Sequence, residues 1–184
     1  MGTLFPMLNS IDGVLDCDLA AYCPIDSTLN VDLSALSAVC SLDGKNMVLF
    51  TNETFHQIAS KLRFKDRERN MIDHISADFV AKNHQIEILP FRLDMDRYSF
   101  IVGGQHSMDM SFNYHIDVLK SPIPFNFGLD VNGKVGDFKY NLGKTRYTIL
   151  FNRPIQHEEY RMSKQRRLDE EKVEILREFR NVIP

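Results

Sequence analysis

Several groups of residues in this sequence have types and spacings that could do chemistry. Gly143-Lys144-Thr145 has the form of the end of a phosphate-binding loop, in which backbone N–H groups cradle phosphate. That loop needs a second glycine, with four residues between, before the Gly-Lys pair. Phe138 occupies the position, so Lys144 and Thr145 read as strand surface. His106, Asp109 and His115 are metal-ligand types, but on a strand His106 has the opposite parity from the other two, and Asp109 and His115 stand roughly 20 Å apart. They read as polar residues on a wet face. Asp94 and Asp96 share a strand face about 7 Å apart, a separation at which paired carboxylates work in glycosidases. Arg92 and Arg97 beside them point instead to a surface charge cluster. Cys17 and Cys23 lie in one strand roughly 20 Å apart and cannot bridge each other; the default reading of Cys17, Cys23 and Cys40 is three small hydrophobes, and a cross-strand pair with Cys40 stays open. Asn52-Glu53-Thr54 fits a glycosylation sequon, yet the same Asn is a good helix cap. There is no Gly-x-Ser-x-Gly elbow and no Cys-x-x-Cys. No catalytic residue, metal site or cofactor is expected.

The elements that would position these residues are mostly strands. From Ser107 to Pro124 the chain alternates, with Met108, Met110, Phe112, Tyr114, Ile116 and Val118 on one parity and Ser107, Asp109, Ser111, Asn113, His115 and Asp117 on the other. Twelve alternating residues predict one long strand with a greasy and a wet face, ended where Pro122 and Pro124 withhold ladder donors. A second run places Phe125, Phe127, Leu129 and Val131 on one face. Earlier runs alternate likewise over 13–23, 29–33, 36–42, 47–50, 72–81, 86–95 and 98–102, and 138–142 follows. Parity shifts at Ala35, Pro90 and Asp96-Arg97 predict bulges or bends. Pro24, Asp43-Gly44, Asn83-His84, Gly103-Gly104 and Asn132-Gly133 predict turns. Tight turns between short-spaced strands imply antiparallel pairing, because parallel crossovers need a dozen residues or more.

Two helices are expected. Asn52 caps the first, whose Phe55, Ile58, Ala59 and Leu62 form one apolar stripe. The second runs from about Gln156, with Leu168, Ile175, Leu176, Phe179 and Ile183 as a narrow seam on an otherwise charged rod. Lys65 to Asn70 reads as a solvated connection. The predicted architecture is mainly β: an elongated, curled antiparallel sheet forming a taco-like groove, with one short helix and a C-terminal helix. Residues 1–150 form the β domain and 151–184 the charged helix.

A formal charge of −3 and a pI near 6.1 argue against nucleic acid as a partner. No apolar run approaches the length of a membrane span, the first residues lack a signal-peptide pattern, and Met1-Gly2 is not followed by a myristoylation motif.

Phe112 to Phe125, preceded by Pro90 to Tyr98 and Gly103-Gly104, resembles the C-terminal region of AsmA-like envelope proteins. Leu42 to Phe50 followed by Glu53-Thr54-Phe55, and Leu142 to Tyr147, extend the resemblance over roughly residues 8–150. It implies a C-terminal piece of a larger periplasmic protein, held at the inner membrane by an N-terminal anchor absent from this chain. It also implies a non-enzymatic role in Gram-negative phospholipid transport or outer-membrane assembly, with phospholipid or another envelope lipid, and other envelope proteins, as partners. The lipid-binding residues expected on the greasy face are Met108, Met110, Phe112, Tyr114 and Ile116, with Phe125, Phe127 and Leu129 beside them. The alternative is a structural β module that binds protein and carries no lipid.

Overall fold

A computed structural model describes residues 11–50, 69–95, 98–134 and 137–182. Eight strands follow one another as β1 (Ile11–Tyr22), β2 (Ser37–Phe50), β3 (Arg69–Lys82), β4 (Gln85–Met95), β5 (Tyr98–Ser107), β6 (Ser111–Lys120), β7 (Phe127–Lys134) and β8 (Asp137–Gly143). They form one antiparallel sheet in which spatial order equals chain order. A 3-10 turn (Leu33–Ala35) precedes β2. Two helices follow the sheet, α1 (Thr148–Asn152) and α2 (Pro154–Val182). Arg153 between them is extended, as the residue before a proline must be, and Pro154 opens α2 where a missing N–H costs nothing.

The mainly β, antiparallel architecture with a short helix and a C-terminal helix is therefore the fold. The sheet is open and uncurled where a taco-like groove is expected, and among the described residues β1 and β8 are its outer strands, each paired on one side. The short helix described is α1, across the 150/151 boundary; the helix expected at 52–62 lies outside the described residues.

One turn and one bulge follow the sequence closely. Asn83 and His84 both have positive φ and join the paired Lys82 and Gln85, the two-residue turn whose twist matches its strands. At Pro90 the β4–β5 register slips between Ile88 and Phe91, so that Leu89 and Phe91 serve opposite faces.

Other expectations are corrected. Asp43-Gly44 stays inside β2, and the positive φ falls at Asn46 instead. Gly103-Gly104 lies within β5, where Gly104 pairs with Tyr114. Asn132-Gly133 belongs to β7. The twelve-residue strand is broken: β5 ends at Ser107, Met108 to Met110 turn the chain, and β6 begins at Ser111. Asp109 sets that turn by accepting from the Ser111 N–H and hydroxyl, at 3.1 and 2.6 Å, while Met110 takes φ 68°.

Each face of the sheet has its own core. On the first, Met47, Ile72, Met95, Tyr98, Phe100, Val118, Phe127, Leu129 and Val131 pack together, flanked by half-buried Leu15, Ile75, Leu93, Val102, Phe112, Ile116 and Phe138. On the second, Val39, Val80 and Leu89 meet Leu168 and Ile175 of α2. The helix thus lies on the parity that reads as wet, and it does so through charge as well as grease. Lys164 pairs with Asp78, Arg167 with Glu87 and Lys172 with Asp18, while Lys82 of the sheet reaches Glu171 and Glu174. Leu176 and Phe179 of the predicted seam are exposed, because the docking stripe is narrower than five residues; Ile183 lies outside the described residues.

Candidate functional site

The predicted lipid-binding residues divide into three environments. Phe127 and Leu129 are buried in the first core. Phe112, Tyr114 and Ile116 stand half-buried along β6 on that same face, where Phe112 stacks on Tyr114 at 5.3 Å and touches Phe138 at 6.2 Å. Met108 and Met110 are half-buried at the β5–β6 turn rather than on a strand, and Phe125 is 66 % exposed beside Phe127.

Further aromatic and apolar groups sit at the margins of this face. Tyr140 and Leu142 of β8 pair with Val131 and Leu129 and are exposed at one edge, and Leu19 is exposed at the other. His106 lies among them, its Nδ1 3.2 Å from the Tyr114 hydroxyl and its Nε2 without a hydrogen-bond partner among the described residues. Burial raises the Tyr114 hydroxyl to about 12 and lowers the His106 imidazole.

The opposite face carries a cluster that strand parity alone hides. Asp117 is completely buried, and its carboxylate accepts from the backbone N–H groups of Arg146 (2.9 Å), Tyr147 (2.8 Å) and Thr148 (2.7 Å), and from the Thr148 hydroxyl (2.8 Å). These are donors at the start of α1 that the helix leaves unpaired. The His115 Nε2 lies 2.8 Å from the same carboxylate, its Nδ1 lies 2.7 Å from Asp130, and Arg146 donates to Asp130 at 2.9 Å. Tyr147 closes the cluster edge-on against the His115 ring. Glycine makes room for this strap: a Cβ on Gly128 would run into the Lys144 carbonyl, and one on Gly103 would come within 3.1 Å of Tyr147 and Pro90. Both ring nitrogens of His115 meet carboxylates, and the Thr148 hydroxyl donates to Asp117, so among the described residues no hydroxyl or thiol faces the imidazole. Its chemistry is that of a clamp, holding α1 and the start of α2 against β6 and β7.

His115 is therefore no wet-face residue, since only 3 % of it is exposed. The three candidate metal ligands are not brought together: Asp109 faces Lys134 and Ser111, His106 faces Tyr114, and His115 is held between two aspartates. Hydrogen bonds from Ser111, then Lys134, hold the Asp109 carboxyl down at about 2. Among the described residues no group of three or more His, Cys, Asp or Glu could hold a metal ion. Arg92 clamps Asp94 through three hydrogen bonds, and Asp96 and Arg97 lie outside the described residues. Lys144 is exposed and Thr145 half-buried in the loop after β8, not on a strand. No described helix is long and apolar enough to cross a membrane.

Fold and site together define an open antiparallel meander with one strapped face and one apolar face. No family model, no curated protein and no solved structure matches the chain.

Proposed function

We propose that this chain is a non-enzymatic lipid-binding module of a cell-envelope protein, as its resemblance to AsmA-like proteins implies. One observation carries the reading: the described helices both occupy the face of Val39, Val80 and Asp117, while on the other face Phe112, Tyr114, Ile116 and Phe125 stay half-buried or exposed around a buried centre. An acyl chain would meet Phe112, Tyr114, Ile116, Met108, Met110 and Phe125, whose half-buried or exposed aromatic and thioether groups can repack around tails of different shape. Phe127 and Leu129 would act from behind, as the packed floor. Each CH₂ removed from water contributes about 0.8 kcal/mol, so part of one tail is enough for reversible binding. A periplasmic location, an anchor at the inner membrane and contact with other envelope proteins belong to the same proposal.

The test is photo-crosslinking to a phospholipid with a diazirine in its acyl chain. Phe112→Asp should lose crosslinking, and Asn113→Asp, on the opposite parity, should keep it. Equal crosslinking in two folded variants would overturn the assignment. Native mass spectrometry of the purified chain should show bound phospholipid.

A second reading rests on the open edges. Val14 and Leu19 of β1 and Leu142 of β8 are exposed on strands whose outer side pairs with nothing among the described residues, the arrangement by which a strand of another chain extends a sheet. Dimers that dissociate when a proline is placed in β8, with no lipid in the mass spectrum, would put this protein-binding reading first.

A further inference from the structure

We propose that Cys17 and Cys40 form a cross-strand disulfide that staples the edge strand β1 to β2, with Cys23 excluded from it. The two sulfurs lie 3.4 Å apart, on the same face of adjacent strands. In the register Cys17 faces Leu42 and Cys40 faces Leu19, so the cysteines are diagonal neighbours. A disulfide needs its sulfurs at about 2.05 Å, and β1 can make up the difference because among the described strands it has a neighbour on one side only. Cys23 is turned elsewhere: its thiol donates to the Asp32 carbonyl at 3.2 Å, beyond the end of β1.

Exposure orders the two steps. Cys17 is exposed and Cys40 half-buried, with burial raising the Cys40 thiol to about 12. With a small-molecule disulfide as oxidant, the Cys17 thiolate attacks one sulfur and expels the other as a thiolate, leaving a mixed disulfide. Cys40 then loses its proton to solvent and attacks the Cys17 sulfur, expelling the second thiolate. Two S–H bonds are lost and one S–S bond forms, two electrons reduce the oxidant to two thiols, and the protons balance. Cys40 is the slow thiol, so closure quickens as pH rises.

The experiment equilibrates the reduced full chain with oxidised glutathione, quenches with acid, alkylates free thiols under denaturing conditions and maps the peptides. We expect one alkylated cysteine, Cys23, a mass lower by two hydrogens before alkylation, and a peptide linking Cys17 to Cys40. Cys23→Ser should keep the link, and Cys40→Ser should stop at a glutathione adduct on Cys17. Hydrogen exchange should slow at least about tenfold for β1 amides on oxidation and stay unchanged in β8. Three alkylated thiols, a persistent adduct on Cys17 in the natural chain, or a link through Cys23 would overturn the pairing. A link that forms without slowing β1 exchange would overturn the staple.

Discussion

Replacing Asp117 by alanine tests whether the C-terminal segment is held by one carboxylate. Asp117 is fully buried, and its two oxygens receive three backbone N–H groups, the Thr148 hydroxyl and His115. The truncation removes a helix cap worth about 1 kcal/mol. It also leaves buried donors without an acceptor, at about 1–3 kcal/mol each, and the losses do not add because the strap can lift and find water. With several buried donors losing one shared acceptor, we expect a loss of about 3–5 kcal/mol. For a chain of this size it corresponds to a melting temperature lower by roughly 6–20 °C. Urea denaturation followed by circular dichroism measures it, with Asn113→Ala as the exposed neighbour expected to stay within about 0.5 kcal/mol of the natural chain. Asp117→Asn keeps the size and one carbonyl acceptor, so it should lose less than alanine does. An Asp117→Ala chain within about 1 kcal/mol of the natural one would refute the clamp.

Gly128→Ala should destabilise by about 1–3 kcal/mol in the same assay, since the added methyl meets the Lys144 carbonyl; a neutral result would mean the strap is not seated there. Lys164 and Asp78, with side chains 18 % and 9 % exposed, should show a coupling of about 1–3 kcal/mol in a double-mutant cycle, and a value near zero would show that α2 docks by its apolar stripe alone. Asp109 should titrate at about 2 by carboxyl carbon NMR. Its folded value is below the unfolded one, so its contribution is present above about pH 4 and is lost as pH falls through about 2. Ser111→Ala should raise the midpoint, because the Ser111 hydroxyl is the main cause of the shift; an unmoved midpoint would refute that origin.

The strands were legible because alternation is a local property: Phe112 to Val118, Leu93 to Met95 and Leu15 to Ala21 carry it without help. The Asn83-His84 turn and the Pro90 bulge were legible for the same reason, each being set by its own residues. Met108 to Met110 deceived because a turn organised by the Asp109 side chain keeps the alternating pattern of types on both sides. Gly103-Gly104 deceived differently. Paired glycines read as a turn, but here they allow close approach, Gly103 beneath Tyr147 and Pro90, and Gly104 against Asn113 and Tyr114. His115, Asp117 and Asp130 read as wet because their covering comes from far along the chain: the donors to Asp117 lie 29 to 31 residues away. Pattern within a strand says which side is polar, not what later arrives to use it. The one available signal was excess: a polar parity as rich as His115, Asp117 and Asp130 offers more acceptors than a solvated face requires.

The chain-ordered sheet sets a timetable for biosynthesis. Each hairpin can close as soon as its second strand leaves the ribosome, so β1 to β4 need nothing from the rest of the chain to pair. Their second face is a different matter. Lys172 meets Asp18 across 154 residues and Arg167 meets Glu87 across 80, so Val39, Val80 and Leu89 stay uncovered throughout the translation of β5 to α1. At roughly 5–20 residues per second that interval lasts several seconds, long enough for an unclad sheet to recruit a holdase or stick to a neighbour. Asp18, Asp78 and Glu87 on that same face then do a second duty, keeping the half-made sheet hydrated until its helix arrives.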